Sequence, residues 1–361
     1  VERKRVLFAV LDWGLGHAAR SVPIIRSLSE AENVSIVLAS NGRAAALLAK
    51  EFPDLPLETL PAYNVSYGRD NFLLDMLLQL PKIASAIARE FVATRKIVRK
   101  HAISHIISDS RFGCFHPKLP SAIISHQLQL QLPSHLAQFG ANLSNKFFIN
   151  NFKYVWIPDN EGKYSLSGAL SDTKGIKGKI EYLGFISRFI RYEMPIERDV
   201  LVVLSGPEPQ RSLFEQMIIA QASRLPQRFL IVQGRTEASA QQAVQINDKL
   251  HLIPFLTATE LNKALCASRY VLARSGYTTL LDLAALGKKA ILVPTPGQTE
   301  QEYLGASLQN KGAFVVQQQA SFDLAAALER IEDTTGLVVP PQQNQLRSII
   351  NAFLDTHKKP F

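Results

Sequence analysis

RVLFAVLDWGLGHAAR, residues Arg5–Arg20, is the stretch that sets the architecture. Val6–Leu11 is an unbroken apolar run of the length and character of a buried strand. Gly14 and Gly16 follow, and Ala18–Glu30 then has helical spacing. A strand, a glycine turn and a helix in that order open a βαβ unit with a parallel sheet. The alternation continues. Val34–Ala39 reads as a strand, Gly42–Glu51 as a helix and Leu57–Leu60 as a short strand. Asp70–Lys100 reads as a helix that breaks at Pro81, and Ile103–Ser108 and Ala122–Ser125 read as strands. The pattern restarts at Val200–Leu204. Strands are predicted at Phe229–Gln233, Leu250–Ile253, Tyr270–Ala273 and Ala290–Val293, and helices at Leu213–Ser223, Thr259–Ala267 and Thr279–Leu286. The expectation is α/β, with two similar doubly wound halves, residues 1–190 and 191–361. They join in the charged, Pro195-containing stretch Gly184–Arg198, and the last helix is free to pack back on the first half.

Composition sets the bounds. Of 361 residues, 47% are hydrophobic and 20% charged, a globular balance that excludes disorder as the general state. No run of 18 apolar residues suggests a membrane-spanning helix. The first apolar run ends at Asp12, too short for the core of a signal peptide. Two cysteines, Cys114 and Cys266, make no disulfide framework, so a reducing cytoplasm is expected. The net charge of +9 is uneven. Residues 1–190 hold 23 Lys+Arg against 15 Asp+Glu, and residues 191–361 hold 17 against 16.

The first glycine loop, Asp12–Arg20, fits GxGxxA through Gly14, Gly16 and Ala19. Glycines there let a phosphate approach the backbone, and the helix start favours anions. A dinucleotide site also needs an acid at the end of the second strand. That position reads Ala39-Ser40-Asn41-Gly42, which weakens a nicotinamide-cofactor reading. His17 has two readings, a general base on the ligand-binding edge of the sheet or a hydrogen-bonding loop cap. The helix start favours its neutral form. Asp109, just after a strand, is the best orienting partner and reads equally well as a turn carboxylate. His126 follows the next strand, and Asp12 remains an alternative acid–base group. His101, His105 and His116 show no ligand spacing.

The second half carries five loops after strands: Ser205–Arg211, Gly234-Arg235, Pro254–Leu256, Arg274–Thr279 and Pro294–Glu302. All are expected on one edge. The Arg274-Ser275-Gly276 turn offers backbone N–H groups and hydroxyls to a diphosphate. An acid one turn into the next helix, Asp282, is placed for ribose hydroxyls.

This ordered set resembles the C-terminal domain of family 28 glycosyltransferases, whose best-known members transfer N-acetylglucosamine to the lipid-linked peptidoglycan intermediate. Residues 250–306 carry the match through PFL, RSGYTTLLDLAALGKKAILVP and GQTEQEYLGA. The resemblance implies the GT-B fold, two Rossmann-like domains facing across a cleft. It places Phe255 and Leu256 against uracil, and Ser205, Gly206, Ser275, Gly276 and Thr278 at the diphosphate. Asp282 would hold the ribose, and Gln301 and Glu302 the donor sugar. Gly234, Arg235, Arg274 and Gln298 complete the expected donor site. Asp282 stands where the family usually has Glu, and Glu302 replaces one of a Gln pair. The first loop keeps only the final GxGH of the peptidoglycan enzymes, which points to a relative with another acceptor. A second resemblance, to family 1 nucleotide-sugar transferases, pairs a loop histidine with a later aspartate.

The implied activity is inverting, metal-independent transfer from a UDP-sugar, as substrate, to a hydroxyl. His17 would be the base, oriented by Asp109, and Arg274 or Arg235 would stabilise the leaving group. No Asp-x-Asp motif occurs, and neither metal nor cofactor is expected. Alternatives are a UDP-sugar hydrolase, a UDP-N-acetylglucosamine 2-epimerase and a non-catalytic sensor. Nucleic acid is not an expected partner. The basic cluster Arg89, Arg95, Lys96, Arg99 and Lys100, beside apolar Phe72–Leu80, has two readings. It docks peripherally on the inner face of an anionic membrane carrying the acceptor, or it is the solvated side of a core helix.

Overall fold

The computed structural model describes residues 3–63, 72–132, 134–235, 243–337 and 345–356. It divides into two units, Val1–Arg188 with Pro341–Phe361, and Phe189–Pro340.

The first unit runs β1 (Lys4–Val10), α1 (Leu15–Ser29), β2 (Val34–Ser40), α2 (Gly42–Glu51), β3 (Leu57–Thr59), α3 (Phe72–Lys100), β4 (His105–Asp109), β5 (Ser121–Ile124), α4 (His135–Ile149), β6 (Tyr154–Ile157) and β7 (Lys179–Tyr182). The strands form one sheet in the order β3-β2-β1-β4-β5-β6-β7, all parallel. Both faces of β1 are buried, as a doubly covered strand requires. Val6, Phe8 and Val10 face Ile24, Ile25 and Leu28 of α1. Leu7 and Ala9 face Ile97 of α3 and Ile103.

The second unit runs β8 (Arg198–Val203), α5 (Gln210–Ala222), β9 (Phe229–Val232), β10 (Val244–Asn247), β11 (Leu250–Ile253), α6 (Ala258–Cys266), β12 (Ser268–Ala273), α7 (Tyr277–Leu286), β13 (Lys289–Leu292), α8 (Thr299–Asn310), β14 (Val315–Val316) and α9 (Leu324–Arg330). Its sheet order is β10-β11-β9-β8-β12-β13-β14, parallel except for the antiparallel edge strand β10. The order reverses between β1 and β4 in one sheet and between β8 and β12 in the other. Open α/β sheets bind ligands at that reversal, beyond the carboxyl ends of the strands.

The last helix, α10 (Gln345–Leu354), lies in the first unit, the return to the first half that the sequence left open for it. The reason is packing: Ile350, Phe353 and Leu354 complete the cluster that covers β1. The Phe353 ring meets Tyr154 and Trp156 edge-on, at centroid distances of 5.2 and 5.1 Å. Three such side chains contribute about 1.5–3 kcal/mol each by burial. One expectation needs correction: α3 continues through Pro81 instead of breaking there. Pro81 is exposed, so the backbone bond it removes is lost where water is at hand.

Candidate active site

In the first unit, the β1–β4 register pairs Val10 with Asp109, so both strands end at one level. The chain leaves β1 through Leu11–Trp13 and turns at Gly14, whose φ of 87° suits glycine. His17 lies in the first turn of α1. Its Nδ1 is 2.8 Å from Asp109 Oδ1. Asp109 is fully buried, while the His17 side chain keeps 20% of its surface exposed. The two sequence candidates are therefore in contact.

Three further residues complete this cluster. Arg20, on the same face of α1 as His17, holds Asp109 through Nε at 2.8 Å and through Nη2. Its Nη1 is 2.9 Å from His126 Nδ1. Ser21 Oγ donates to Asp109 Oδ2 at 3.0 Å. Burial alone would raise the Asp109 carboxyl. The positive charge of Arg20 outweighs it, with His17 adding to the effect, and holds Asp109 far below the usual carboxylate range. Burial and Arg20 lower His17 below 6.5, against the pull of Asp109. Sequence reading missed Arg20. The available signal was its spacing, three residues after His17 on a helix.

Asp12 is tied elsewhere. Its Oδ1 is 3.2 Å from Arg111 Nη2. Arg111 is buried and also donates to Val10 O at 2.6 Å and Glu90 Oε1 at 2.7 Å. Glu90 Oε2 accepts from Tyr63 Oη at 2.9 Å and Gly113 N at 2.7 Å. Burial raises the Glu90 carboxyl, and Arg111 draws it back only in part. Trp13 rests edge-on against Tyr63 at 5.8 Å. This network holds the Val10–Trp13 segment that leads from β1 into the His17 loop. Gly113 is required there, because a Cβ would stand 2.4 Å from Ile87 O.

In the second unit the five loops follow β8, β9, β11, β12 and β13, all at carboxyl ends. Gly234 has a φ of 69°, and a Cβ there would meet Leu204 O at 2.6 Å, so the two loops touch backbone to backbone. Ser205 and Gly206 are exposed. Phe255 and Leu256 are half-buried just before the capping box of α6. Gly276 is the N-cap of α7, and Thr278 and Asp282 lie half-buried along that helix. Helices α1, α5, α7 and α8 carry no side-chain cap, whereas α2, α4, α6 and α9 are capped by Asn41, Ser134, Thr257 and Asp323. The uncapped helices follow β1, β8, β12 and β13. Their N-terminal N–H groups suit an anion.

Several expected donor contacts brace loops instead. Ser275 is buried and its Oγ donates to Gln301 O at 2.7 Å. Gln301 Oε1 accepts from Thr295 N at 2.9 Å, and its Nε2 donates to Gln298 Oε1. Glu302 Oε1 accepts from Gly297 N at 2.9 Å. Arg235 pairs with Glu215 at 3.2 Å. Arg274 is a correction: it does not present its charge to a ligand. It is buried over the Phe214 ring at 4.2 Å and donates to Val293 O, Pro294 O, Gln210 O and Gln319 Oε1. Burial lowers it to about 10.

Comparison with known proteins sharpens this picture. Residues 200–357 match the glycosyltransferase family 28 C-terminal domain. The chain is a glycosyltransferase with the GT-B fold, and its residues 200–357 are family 28-like. The matched stretch contains all five second-unit loops and runs on into α10. One relative is the UDP-N-acetylglucosamine--N-acetylmuramyl-(pentapeptide) pyrophosphoryl-undecaprenol N-acetylglucosamine transferase of Methylobacterium nodulans. It is 23% identical over 370 residues, covering 95% of this chain and 90% of the relative. The crystal structure of Acinetobacter baumannii MurG superposes with a TM-score of 0.59 at 14% identity, over 98% of this chain and 100% of that one. The UDP-GlcNAc 2-epimerase of Neisseria meningitidis, bound to UDP-GlcNAc, gives a TM-score of 0.60 at 11% identity, over 97% and 99%. At such identities the two structures speak to the fold. The family 28-like sequence match distinguishes the transferase from the epimerase.

Proposed function

We propose that this enzyme moves a hexose from a UDP-sugar to a hydroxyl acceptor, with inversion and without an obligatory metal ion. The observation that carries the reading is the His17–Asp109 contact at the end of β1 and β4. His17 takes the acceptor proton as the acceptor oxygen forms its bond to the anomeric carbon. The bond to the diphosphate breaks on the opposite face, and UDP leaves with the electron pair. The uncapped N-termini of α5, α7 and α8 receive the diphosphate. Phe255 and Leu256 lie against the base, Ser205, Gly206, Gly276 and Thr278 near the diphosphate, and Asp282 at the ribose. Ser275, Gln298, Gln301 and Glu302 shape the sugar loop. UDP-N-acetylglucosamine is the first donor to test, because the Methylobacterium relative is named for it.

That relative's acceptor is lipid-linked, and a lipid-linked acceptor would bring this enzyme to a membrane surface. Helix α4 supports that reading. Leu136, Phe139, Leu143 and Phe147 are 63–83% exposed. Spaced three, four and four residues apart, they share one face. On α3, Lys82, Arg89, Arg95, Lys96, Arg99 and Lys100 are exposed. Phe148 of α4 and Ile83 of α3 pack against one cluster, so the two helices are neighbours in the first unit. An apolar stripe beside cations suits an anionic bilayer. The apolar side chains of Phe72–Leu80 lie outside the described residues. Among the described residues no helix is long and apolar enough to cross a membrane.

His17→Ala is expected to abolish turnover while UDP affinity, measured by calorimetry, stays near normal. Unchanged turnover would sink the assignment.

A further inference from the structure

An ordinary His–Asp pair leaves the carboxylate charge free to make the histidine more basic. Here that charge is already taken. Arg20 is almost wholly buried and meets both oxygens of Asp109. A guanidinium only donates, so the 2.9 Å contact from Nη1 makes His126 Nδ1 an unprotonated acceptor. His126 is therefore neutral.

The hydrogens around His17 can be assigned in the same way. Its Nδ1 is 2.8 Å from Asp109 Oδ1 and 2.9 Å from Arg20 Nη2. Nη2 has two hydrogens, and two oxygens face it: Asp109 Oδ1, and Ser110 Oγ at 3.2 Å. If Nδ1 were bare, its lone pair would confront a carboxylate oxygen. With a hydrogen on Nδ1 donating to Asp109 and the Nη2 hydrogens going to Asp109 and Ser110, both oxygens are satisfied, and only the 2.9 Å approach of Nη2 to Nδ1 carries no hydrogen bond. The ring's lone pair then sits on Nε2.

Charge gives the same answer. The groups facing the ring are Arg20 from α1, Asp109 at the end of β4 and His126 after β5. Arg20 and Asp109 cancel, so the cluster is neutral when His17 is neutral. Protonating His17 would set a second cation 2.9 Å from the guanidinium in a buried setting. The lowered pKa of His17 follows from burial and from Arg20.

We propose that Arg20 is a positioning residue that locks His17 as the neutral Nδ1–H tautomer, with Nε2 as the proton acceptor, by clamping Asp109 at two points and His126 at a third. The proposal rests on the reading of His17 as the base, but its test does not need turnover.

The test is a nitrogen-15 NMR titration of protein labelled in its eight histidines, with His17→Gln identifying the His17 signals. Wild-type His17 is expected to show the Nδ1–H tautomer and to titrate below 6.5. In Arg20→Gln the carboxylate is no longer cancelled, so the midpoint should move above 6.5. The acid limb of kcat should move with it, and rate should recover at higher pH. Arg20→Lys keeps the charge and should restore the low midpoint. A wild-type Nε2–H tautomer, a wild-type midpoint above 6.5, or an unmoved midpoint in Arg20→Gln would each overturn the proposal. If Arg20→Gln does not fold, the wild-type tautomer and midpoint decide alone. Normal turnover in His17→Ala, with the titration as expected, would remove the base role and leave the clamp standing.

Discussion

Replacing Glu90 by Leu should unfold the first unit far more easily than its modest change in volume suggests. Glu90 and Arg111 are both fully buried and 2.7 Å apart. Leu fills most of the same space, so the cavity term is small. What remains is a buried guanidinium with Asp12 as its anionic partner at 3.2 Å. Removing one member of a buried pair costs about 3–5 kcal/mol. The Gly113 N–H, 2.7 Å from Glu90, is orphaned as well and adds about 1–3 kcal/mol. These terms share one network and overlap, so we expect a loss of about 4–5 kcal/mol. Glu90→Gln keeps the shape but turns an NH2 toward existing donors, and should lose about 1.5–3 kcal/mol, the worth of one charged hydrogen bond. The assay is urea unfolding followed by tryptophan fluorescence. Both tryptophans, Trp13 and Trp156, lie in the first unit, so the signal reports that unit alone. A loss below about 1 kcal/mol for Glu90→Leu, the worth of an exposed pair, would refute the claim that Glu90 compensates Arg111.

Other outcomes follow from the same geometry. Phe139→Glu with Phe147→Glu should abolish flotation with anionic vesicles while leaving the tryptophan unfolding curve within about 0.5 kcal/mol, because both positions are exposed; retained flotation would exclude α4 as the lipid contact. Gly234→Ala places a Cβ 2.6 Å from Leu204 O at a φ of 69°. The backbone strain alone is about 1–2 kcal/mol, so calorimetry should show UDP binding weakened at least tenfold with first-unit stability unchanged. Arg274→Met should destabilise the second unit by about 3 kcal/mol or more, since four carbonyl oxygens lose their donor. If it instead raised only the KM for the donor, Arg274 would be a ligand group after all.

The strands that bracket each glycine loop were readable because burial on both faces writes a continuous apolar run. Val6–Leu11 and Leu250–Ile253 are examples. β6 and β7 escaped notice, being four residues each, with β7 alternating polar and apolar as Lys-Ile-Glu-Tyr. His17 and Asp109 were found as separate candidates, and the β1–β4 register is what joins them. Arg20 reads from sequence as one more helix charge; its burial depends on Asp109 arriving 89 residues later. Arg274 failed for a related reason. The turn was recognised, but Gln319, the residue that captures its guanidinium, lies 45 residues on. Long-range partners decide whether a cation is a ligand group or a rivet, and spacing carries no record of them.

The placement of α10 has a consequence for how the protein is made. The polypeptide leaves the first unit after Arg188, builds the whole of the second, and only then returns with α10. Domains commonly fold in the order they are synthesised. Here the first sheet to emerge is the last to be sealed, since Phe353 reaches Tyr154 and Trp156 only from the far end of the chain. A nascent chain therefore carries an open apolar face while some 150 residues are being added. That face is a natural place for a chaperone to hold, and a stop codon before residue 345 would leave it uncovered for good.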